Sequence, residues 1–193
     1  MSTPWRPLAA EIAKCRACSE LAESRQQVVV GEPPATPGLG LALVGEAPGA
    51  AEDAAGRPFV GKAGQLLDQV LGETGLDRAG VAVLNVLKCR PPGNRAPKPD
   101  EVARCRPFLE RQLALLRPTL VVALGLTAVT WFLGRTTLSA ARGTVHPVTV
   151  NGLDLRVIAT YHPSAAIRFG PRGAPMAALR EDLALAAKLV AVP

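Results

Sequence analysis

The stretch Leu41–Gly61, LALVGEAPGAAEDAAGRPFVG, decides the architecture of this chain. It opens with a short apolar run, Leu41–Val44, which is bounded by glycines and predicts a buried strand. The run ends in a Gly-Glu-Ala-Pro-Gly loop, whose glycines allow the backbone to approach a ligand closely. A second loop rich in glycine and proline carries Phe59. Because ligands bind beyond the carboxyl ends of strands in open α/β sheets, Glu46 and Phe59 are predicted to lie in a site.

The rest of the chain alternates between strand and helix patterns. Further strands are predicted over residues 81–86, 119–124, 145–150 and 153–160, with a short edge strand over 27–30. Helices are predicted over 6–23, 63–72, 99–116 and 175–190, with a shorter one ending near residue 133. Asn151-Gly152 is a strong hairpin signal between the last two strands. The alternation predicts an α/β fold, a three-layer α/β/α sandwich whose central, mostly parallel sheet has about four strands, in a single domain over residues 1–193.

Composition limits the possible function classes. The 193 residues are 48% hydrophobic, which is ample for one core, and no apolar run reaches the ~18 residues of a membrane span. The amino terminus lacks the order of a secretory signal, so an intracellular, cytoplasmic protein without a membrane partner is expected. The formal net charge of +6 favours a polyanionic partner. Aromatic residues make up only 4%, which argues against a broad stacking platform for single strands.

Polar side chains follow three of the predicted strands. Glu46 follows the first strand, Asn85 lies at the end of the second, and His162, one of two histidines, follows the last. If these strands are parallel, the three side chains share one rim of the sheet. Each has a structural alternative: Glu46 as a helix cap, Asn85 bonded to the backbone of a turn, and His162 as a buried structural histidine. The predicted convergence favours a common site.

The four cysteines form two pairs, Cys15-x2-Cys18 and Cys89-x15-Cys105. In a cytosolic chain a metal is favoured over disulfides. The second spacing does not supply the second C-x-x-C of a usual zinc ribbon. Zinc, an iron–sulfur cluster and unconnected buried thiols therefore remain open on spacing alone.

The segment Gly56-x4-Gly61-Lys62-Ala63 nearly matches a phosphate-binding P-loop. Ala63 has no hydroxyl for magnesium, and Pro58 removes an amide from the would-be cradle. The segment also does not follow a strand directly. Nucleotide binding is therefore a weak alternative, and no nucleotide cofactor is expected.

Taken together, these motifs resemble the family 4 uracil-DNA glycosylases, the iron–sulfur members of the uracil glycosylase superfamily. The resemblance covers nearly the whole chain, from the first cysteine pair into the last helix. The matching segments are Gly45-Glu46-Ala47-Pro48-Gly49, Glu52-Asp53, Gly56-Arg57-Pro58-Phe59-Val60-Gly61, Asn85-Val86-Leu87-Lys88-Cys89-Arg90-Pro91-Pro92 and His162-Pro163-Ser164.

The resemblance implies an enzyme that flips uracil out of DNA and hydrolyses its N-glycosidic bond. Phe59 would stack on the base, and the Asn85 amide would pair with uracil but not equally with cytosine. His162 would donate to O2, where charge accumulates as uracil leaves. Glu46 would orient or deprotonate the attacking water and face the cationic sugar. Backbone amides from Gly45 to Ala47 would add contacts to the substrate.

The resemblance also implies a cofactor and a DNA-binding face. Cys15, Cys18, Cys89 and Cys105 would hold a [4Fe–4S] cluster with a structural role. The predicted DNA contacts are Ser164, Arg168, Arg90 and Arg95, from the segment after His162 and from the basic loop 90–98.

The expected partner is uracil-containing DNA, single- or double-stranded, bound by a monomeric prokaryotic protein associated with the nucleoid. No lysine is among the predicted site residues, so a monofunctional hydrolase without a lyase step is expected. The main alternative is a metal-stabilised module that binds uracil-DNA without turnover.

Overall fold

The structure, a computed structural model, describes residues 5–36 and 38–190. The strands are β1 (Leu41–Gly45), β2 (Ala82–Asn85), β3 (Leu120–Leu124), β4 (Val145–Val150) and β5 (Leu153–Thr160). The helices are α1 (Trp5–Ala13), α2 (Ser19–Ser24), α3 (Ala50–Ala55), α4 (Lys62–Glu73), α5 (Pro99–Leu116), α6 (Leu126–Leu133), α7 (Leu138–Ala141), α8 (Pro163–Phe169) and α9 (Ala174–Val190). Within the described ranges no helix is both long and apolar enough to span a bilayer. Residues 1–4, 37 and 191–193 lie outside these ranges. The predictions of a single domain over 1–193 and of an amino terminus without a secretory signal therefore fall partly outside the described residues.

The strands form one sheet in the order β2-β1-β3-β5-β4. Strands β2, β1, β3 and β5 are parallel, and β4 pairs antiparallel with β5. The prediction of a mostly parallel sheet is confirmed, but the sheet has five strands rather than about four. The fifth is β4, which the Asn151-Gly152 hairpin adds at the edge of the sheet, and Asn151 adopts the positive φ of +50° that this turn needs.

Helices cover both faces of the sheet, which confirms the three-layer sandwich. On one face, α1, α5, α6 and α7 pack against alternate strand residues such as Val44 and Ala123. On the other face, α4, α8 and α9 pack against the intervening residues, such as Leu43 and Val122. Burial on both faces explains why β1 and β3 are continuous apolar runs rather than alternating ones.

The predicted helix over 6–23 is wrong in its middle. It is divided into α1 and α2 by residues 14–18, and Cys18 has extended φ and ψ of −112° and 102° as the residue before α2. The apolar residues that show helical spacing stop at Ile12 and resume only at Leu21, so the intervening segment has no buried stripe to hold it against the core.

The predicted edge strand over 27–30 is also wrong. Among the described residues, 27–30 belong to no strand: Val29 N–H donates to the Lys88 carbonyl at 2.7 Å, and the nearest bridge, between Glu32 and Val83, lies beyond the segment. Gly31, with φ +108°, bends the chain between them, and a regular ladder cannot continue through that conformation.

Candidate active site

A cavity of about 240 Å³ lies at the carboxyl ends of the parallel strands. Glu46, Phe59, Asn85 and His162 all line it. They come from segments far apart in the sequence, and the sheet brings them to one rim. The other lining residues are Ala47, Pro48, Gly49, Glu52, Ala63, Pro91, Asn94, Arg95 and Ser164.

Two glycines allow this convergence. A Cβ atom on Gly45 would lie 2.5 Å from both Asn85 Oδ1 and Phe59 Cζ, so only glycine leaves room for the amide and the ring there. Gly125, at the end of β3, has φ +88°, and a Cβ on it would lie 3.0 Å from His162 Cβ. Gly45 therefore leaves the space that these side chains need, although, unlike Ala47, it is not itself a lining residue of the cavity.

The Asn85 side chain is buried at 3% exposure, and among the described residues its Oδ1 has no hydrogen-bond partner. Its backbone is fixed twice, by the pairing of β2 with Gly45 and by the Lys88 ammonium, whose Nζ donates to the Asn85 carbonyl at 2.7 Å. A buried acceptor without a partner is energetically costly. A ligand N–H in the cavity would satisfy it.

The His162 imidazole is held in one tautomer. The backbone N–H of Ser164 donates to Nδ1 at 3.2 Å, so Nδ1 carries the lone pair and Nε2 carries the proton. Burial lowers the pKa of His162 from its usual 6.5 to about 4. At neutral pH the ring is therefore an uncharged donor through Nε2. The Phe59 ring lies 5.6 Å away, centroid to centroid, at an interplanar angle of 31°.

The Glu46 carboxylate is oriented by α6. The Thr127 hydroxyl, in the first turn of that helix, donates a hydrogen bond to Glu46 Oε2. The helix N-terminus adds a partial positive charge beside the carboxylate. Glu46 does not cap the helix that follows it in sequence, α3, whose first turn is instead closed by Glu52, which accepts from Gly49 N at 3.1 Å.

We predict that Thr127→Val lowers kcat roughly tenfold with little change in KM, because a hydrogen bond to a charged group contributes about 1.5–3 kcal/mol. Steady-state kinetics on the substrate expected from the sequence, a uracil-containing oligonucleotide, measures the change. Thr130→Val is the matched control, since Thr130 lies exposed on the same helix. Equal kcat values in the two variants would contradict a role for Thr127 in holding Glu46.

The near P-loop segment binds a carboxylate instead of a phosphate. Glu52 Oε1 accepts from the backbone N–H groups of Val60 and Gly61 at 3.0 and 2.8 Å. Gly56 ends α3 in a left-handed conformation, and Lys62 begins α4 with an exposed side chain. The two amides that a phosphate would need are therefore already bonded.

Of the four predicted DNA contacts, Ser164 and Arg95 line the cavity, whereas Arg90 and Arg168 do not. Ser164 lines it, and Arg168 lies exposed on the same helix, α8. Arg90 Nε donates to the Asn94 side chain at 2.7 Å. Arg95 also lines the cavity, but its guanidinium donates to both carboxylate oxygens of Glu101, at 3.0 and 2.6 Å. Arg95 is therefore more restrained than a free surface cation.

All four cysteines line a second, largely apolar cavity. Its other walls include Leu21, Leu87 and Phe108. Within the described residues, no three or more His, Cys, Asp or Glu side chains converge closely enough for a single ion. Arg25 Nη1 lies 3.3 Å from Cys89 Sγ. Burial raises the pKa of Cys89 to about 11 and lowers that of the fully buried Lys88 to about 8.

Three residues that fix the site side chains are not among those predicted from the sequence: Thr127, Lys88 and Arg78. Thr127 follows β3, the inner strand for which no polar end residue was predicted, so its position was a usable signal. Lys88 and Arg78 act through contacts to the carbonyls of Asn85 and Phe59. No sequence pattern predicts such contacts.

Comparison with known proteins agrees with this geometry. The sequence profile of the uracil DNA glycosylase superfamily matches residues 33–184. A type-4 uracil-DNA glycosylase of Pyrobaculum aerophilum is 43% identical over 162 residues, which cover 81% of each chain. The type-4 enzymes of Archaeoglobus fulgidus and Thermotoga maritima are each also 43% identical, over 81% of this chain and 80% of their own. With its strand-end cavity and these relatives, the chain belongs to the type-4 branch of the uracil DNA glycosylase superfamily.

Proposed function

We propose that this protein is a uracil-DNA glycosylase that flips uracil out of DNA and hydrolyses its N-glycosidic bond, leaving an abasic site. The observation that carries the proposal is that one cavity holds a buried acceptor, Asn85 Oδ1, with no partner among the described residues, and a neutral donor, His162 Nε2–H. The edge of uracil offers the complementary groups. The relatives carry the same activity in their names.

Base recognition follows from the Asn85 amide. Its Oδ1 accepts from uracil N3–H, and its amino group donates to O4. Cytosine has no hydrogen on N3, so its N3 lone pair would face the Asn85 Oδ1 lone pair. Neither of these two acceptors would then have a donor. Phe59 provides the apolar face on which the planar base stacks. Extrusion of the base costs a few kcal/mol, and least at a U·G mismatch.

Leaving-group stabilisation follows from His162. As the glycosidic bond breaks, negative charge develops on uracil, including on O2. The Nε2–H donor is fixed in place and belongs to an uncharged ring, so it stabilises this charge by a hydrogen bond with no change in its own charge. The contact from Ser164 N to Nδ1 keeps the donor on the side away from the backbone.

Glu46 completes the reaction. Its carboxylate orients a water molecule, accepts a proton from it as it attacks C1′, and favours the positive charge that develops on the sugar. The Thr127 hydroxyl occupies Oε2, which leaves Oε1 for the water. Among the described residues no lysine lines the cavity, which supports a reaction that ends at the abasic site without a Schiff-base step.

The DNA backbone would bind at the cavity, where Ser164 and Arg95 are lining residues, and the proposal adds Arg90, beside the lining residue Pro91, and Arg168, on the same helix as Ser164. The net charge of +6 supports attraction to phosphates. The proposal extends to single- and double-stranded uracil-DNA, bound by a monomer in a prokaryotic cytoplasm.

We further propose that Cys15, Cys18, Cys89 and Cys105 hold a [4Fe–4S] cluster. A single tetrahedral zinc needs its sulfurs about 2.3 Å from one point, whereas a cluster binds each thiolate at a different iron. The four cysteines share one largely apolar cavity and so supply, side by side, the four thiolates that such a cluster needs. Arg25 and Lys88 supply positive charge beside the thiolates. When bound, the cluster joins the α1–α2 segment to the end of β2 and so supports Asn85.

We predict that the protein, purified without oxygen, is brown and contains about four irons per chain. Cys89→Ser and Cys105→Ser should each lose most of the visible absorbance, because serine is a poor iron ligand. As a control, Ser24→Cys is combined with each of these two variants. The combined variants again have four thiols, but one of them lies at residue 24. A colourless protein with stoichiometric zinc, or restored colour in the combined variants, would contradict the assignment.

We predict that His162 stays neutral far below the pH at which a free histidine takes up a proton. Its pKa of about 4 in the folded protein lies below the usual 6.5, so its contribution to stability is complete above 6.5 and is lost as pH falls toward 4. The ring resonances of His162 should therefore be unchanged from pH 8 to about 5. A His162 titration midpoint near 6.5 in NMR spectra would contradict the neutral-donor mechanism.

The proposed function is tested with single- and double-stranded oligonucleotides that carry one uracil. Incubation followed by alkali should cleave the strand at that position, and no cleavage should occur before alkali is added. Cleavage without alkali would indicate a lyase step. Tight retention of the uracil oligonucleotide without alkali-labile sites would instead support the alternative, a binding module that has lost turnover.

A further inference from the structure

Phe59, which the proposed function places against the base, has an unusual backbone. Its φ of +52° lies in the left-handed region, which bulky residues rarely adopt. Such a conformation persists only where the surroundings fix it. The side chain is 5% exposed, so a change in this backbone would move a buried ring at the wall of the cavity.

Arg78 binds the loop that carries Phe59. Its Nη1 donates to the Phe59 carbonyl at 3.1 Å, and its Nη2 donates to the Pro58 carbonyl at 2.8 Å. Two consecutive carbonyls are therefore held by one planar guanidinium. Arg78 begins the short 3₁₀ helix that leads into β2, the strand that ends at Asn85.

The guanidinium is itself held in place. Asp68 Oδ1, on α4, accepts from Nη1 at 2.8 Å, and Glu32 Oε2 lies 3.4 Å from Nη2. The Arg78 side chain is only 23% exposed. A half-buried arginine between two carboxylates keeps one orientation, so it can act as a fixed support rather than a mobile surface group.

The opposite side of the Phe59 carbonyl is closed by α4. A Cβ atom on Gly64 would lie 1.8 Å from Phe59 O, so the helix backbone directly contacts the carbonyl. Glu52 holds the next two amides of the loop, those of Val60 and Gly61. Arg78 is therefore the support for Pro58 and Phe59, while Glu52 supports the residues that follow.

We propose that Arg78 is a positioning residue that sets the place of the Phe59 ring in the base pocket, and that it acts on base binding through Phe59 alone. The proposal rests on the proposed function, since it takes the cavity as the uracil site. A lysine offers no planar fork and can reach one carbonyl at a time, so it should restore the function only in part.

The test measures binding of free uracil by isothermal titration in a double-mutant cycle of Arg78→Met and Phe59→Ala. Arg78→Met should weaken uracil binding roughly tenfold in the wild-type background and less than twofold in the Phe59→Ala background, because a positioning residue has no effect once its target ring is gone. Arg78→Lys should lie between wild type and Arg78→Met. It also serves as the variant of choice if circular dichroism shows that Arg78→Met does not fold.

Arg57→Met is the matched control. Arg57 also pairs with Glu32, at 2.6 Å, but its side chain is 65% exposed, and its only hydrogen bond among the described residues is to that carboxylate. It should bind uracil like the wild type. Equal losses for Arg78→Met in both backgrounds, or no loss in the wild-type background, would overturn the positioning role while leaving the proposed function intact. A wild-type protein that binds no uracil would contradict both.

Discussion

Replacing His162 by alanine should lower kcat about 10²- to 10³-fold with a small change in KM. The imidazole donor acts on the charge that develops as the bond breaks, and removing one such preorganised donor costs about 2.7–4 kcal/mol of transition-state stabilisation. The uncharged ground-state base gains less from the same contact, so binding should change little. Single-turnover rates of uracil excision measure the chemical step directly.

His146→Ala is the control for this prediction, because His146 is the other histidine of the chain. It lies on β4, where its Nε2 is 2.8 Å from the Ala141 carbonyl, and it does not line the cavity. Its replacement should leave the excision rate within about twofold of wild type. Equal losses in the two variants would show that the effect is one of stability and not of catalysis.

Replacing Asn85 by alanine should lower kcat/KM for uracil about 10²- to 10³-fold. The variant loses two hydrogen bonds to the base in a buried site, each worth about 1–3 kcal/mol when its partner is left unsatisfied. These hydrogen bonds are made both when the base binds and in the transition state, so KM should rise as kcat falls. Steady-state kinetics on a duplex with a single uracil measures kcat and KM separately.

Asn94→Ala is the matched control for Asn85. Asn94 lines the same cavity from the basic loop, but it is exposed, and its Oδ1 already accepts from Arg90. Its loss should change kcat/KM less than about fivefold. Near-normal excision by Asn85→Ala would mean that another group reads the base.

The side chains that meet at the rim of the sheet could be predicted from the sequence because of one geometric rule. Parallel strands end at the same edge, so side chains that follow different strands meet there. Glu46, Asn85 and His162 line one cavity as that rule requires. The apolar runs of β1 and β3 predicted burial on both faces in the same way, and two layers of helices cover them.

The amino-terminal segment shows where the sequence patterns fail. The break between α1 and α2 and the bend at Gly31 depend on what these residues pack against, and the local propensities there still permit a helix or a strand. Tertiary contacts decide both. The break also puts Cys15 and Cys18 in the same cavity as Cys89 and Cys105, which a continuous helical pattern did not suggest.

The contacts that Thr127, Lys88 and Arg78 make could not be predicted either, for a related reason, although the position of Thr127 after a strand was a usable signal. Thr127, Lys88 and Arg78 act on Glu46, Asn85 and Phe59 by contacts to a carboxylate or a backbone carbonyl. Their partners are up to 81 residues away in the chain. Only the fold defines such pairs, and the same fold gives Phe59 a backbone conformation that its residue type disfavours.

We propose that one cavity captures uracil, rejects cytosine and expels the base. Chromatographic quantification of the free bases released from otherwise identical duplexes that carry uracil or cytosine at one position tests this. We expect free uracil in an amount equal to the alkali-labile sites, and no free cytosine. Release of cytosine at a rate close to that of uracil, or stable binding of the uracil duplex with no free base, would contradict it.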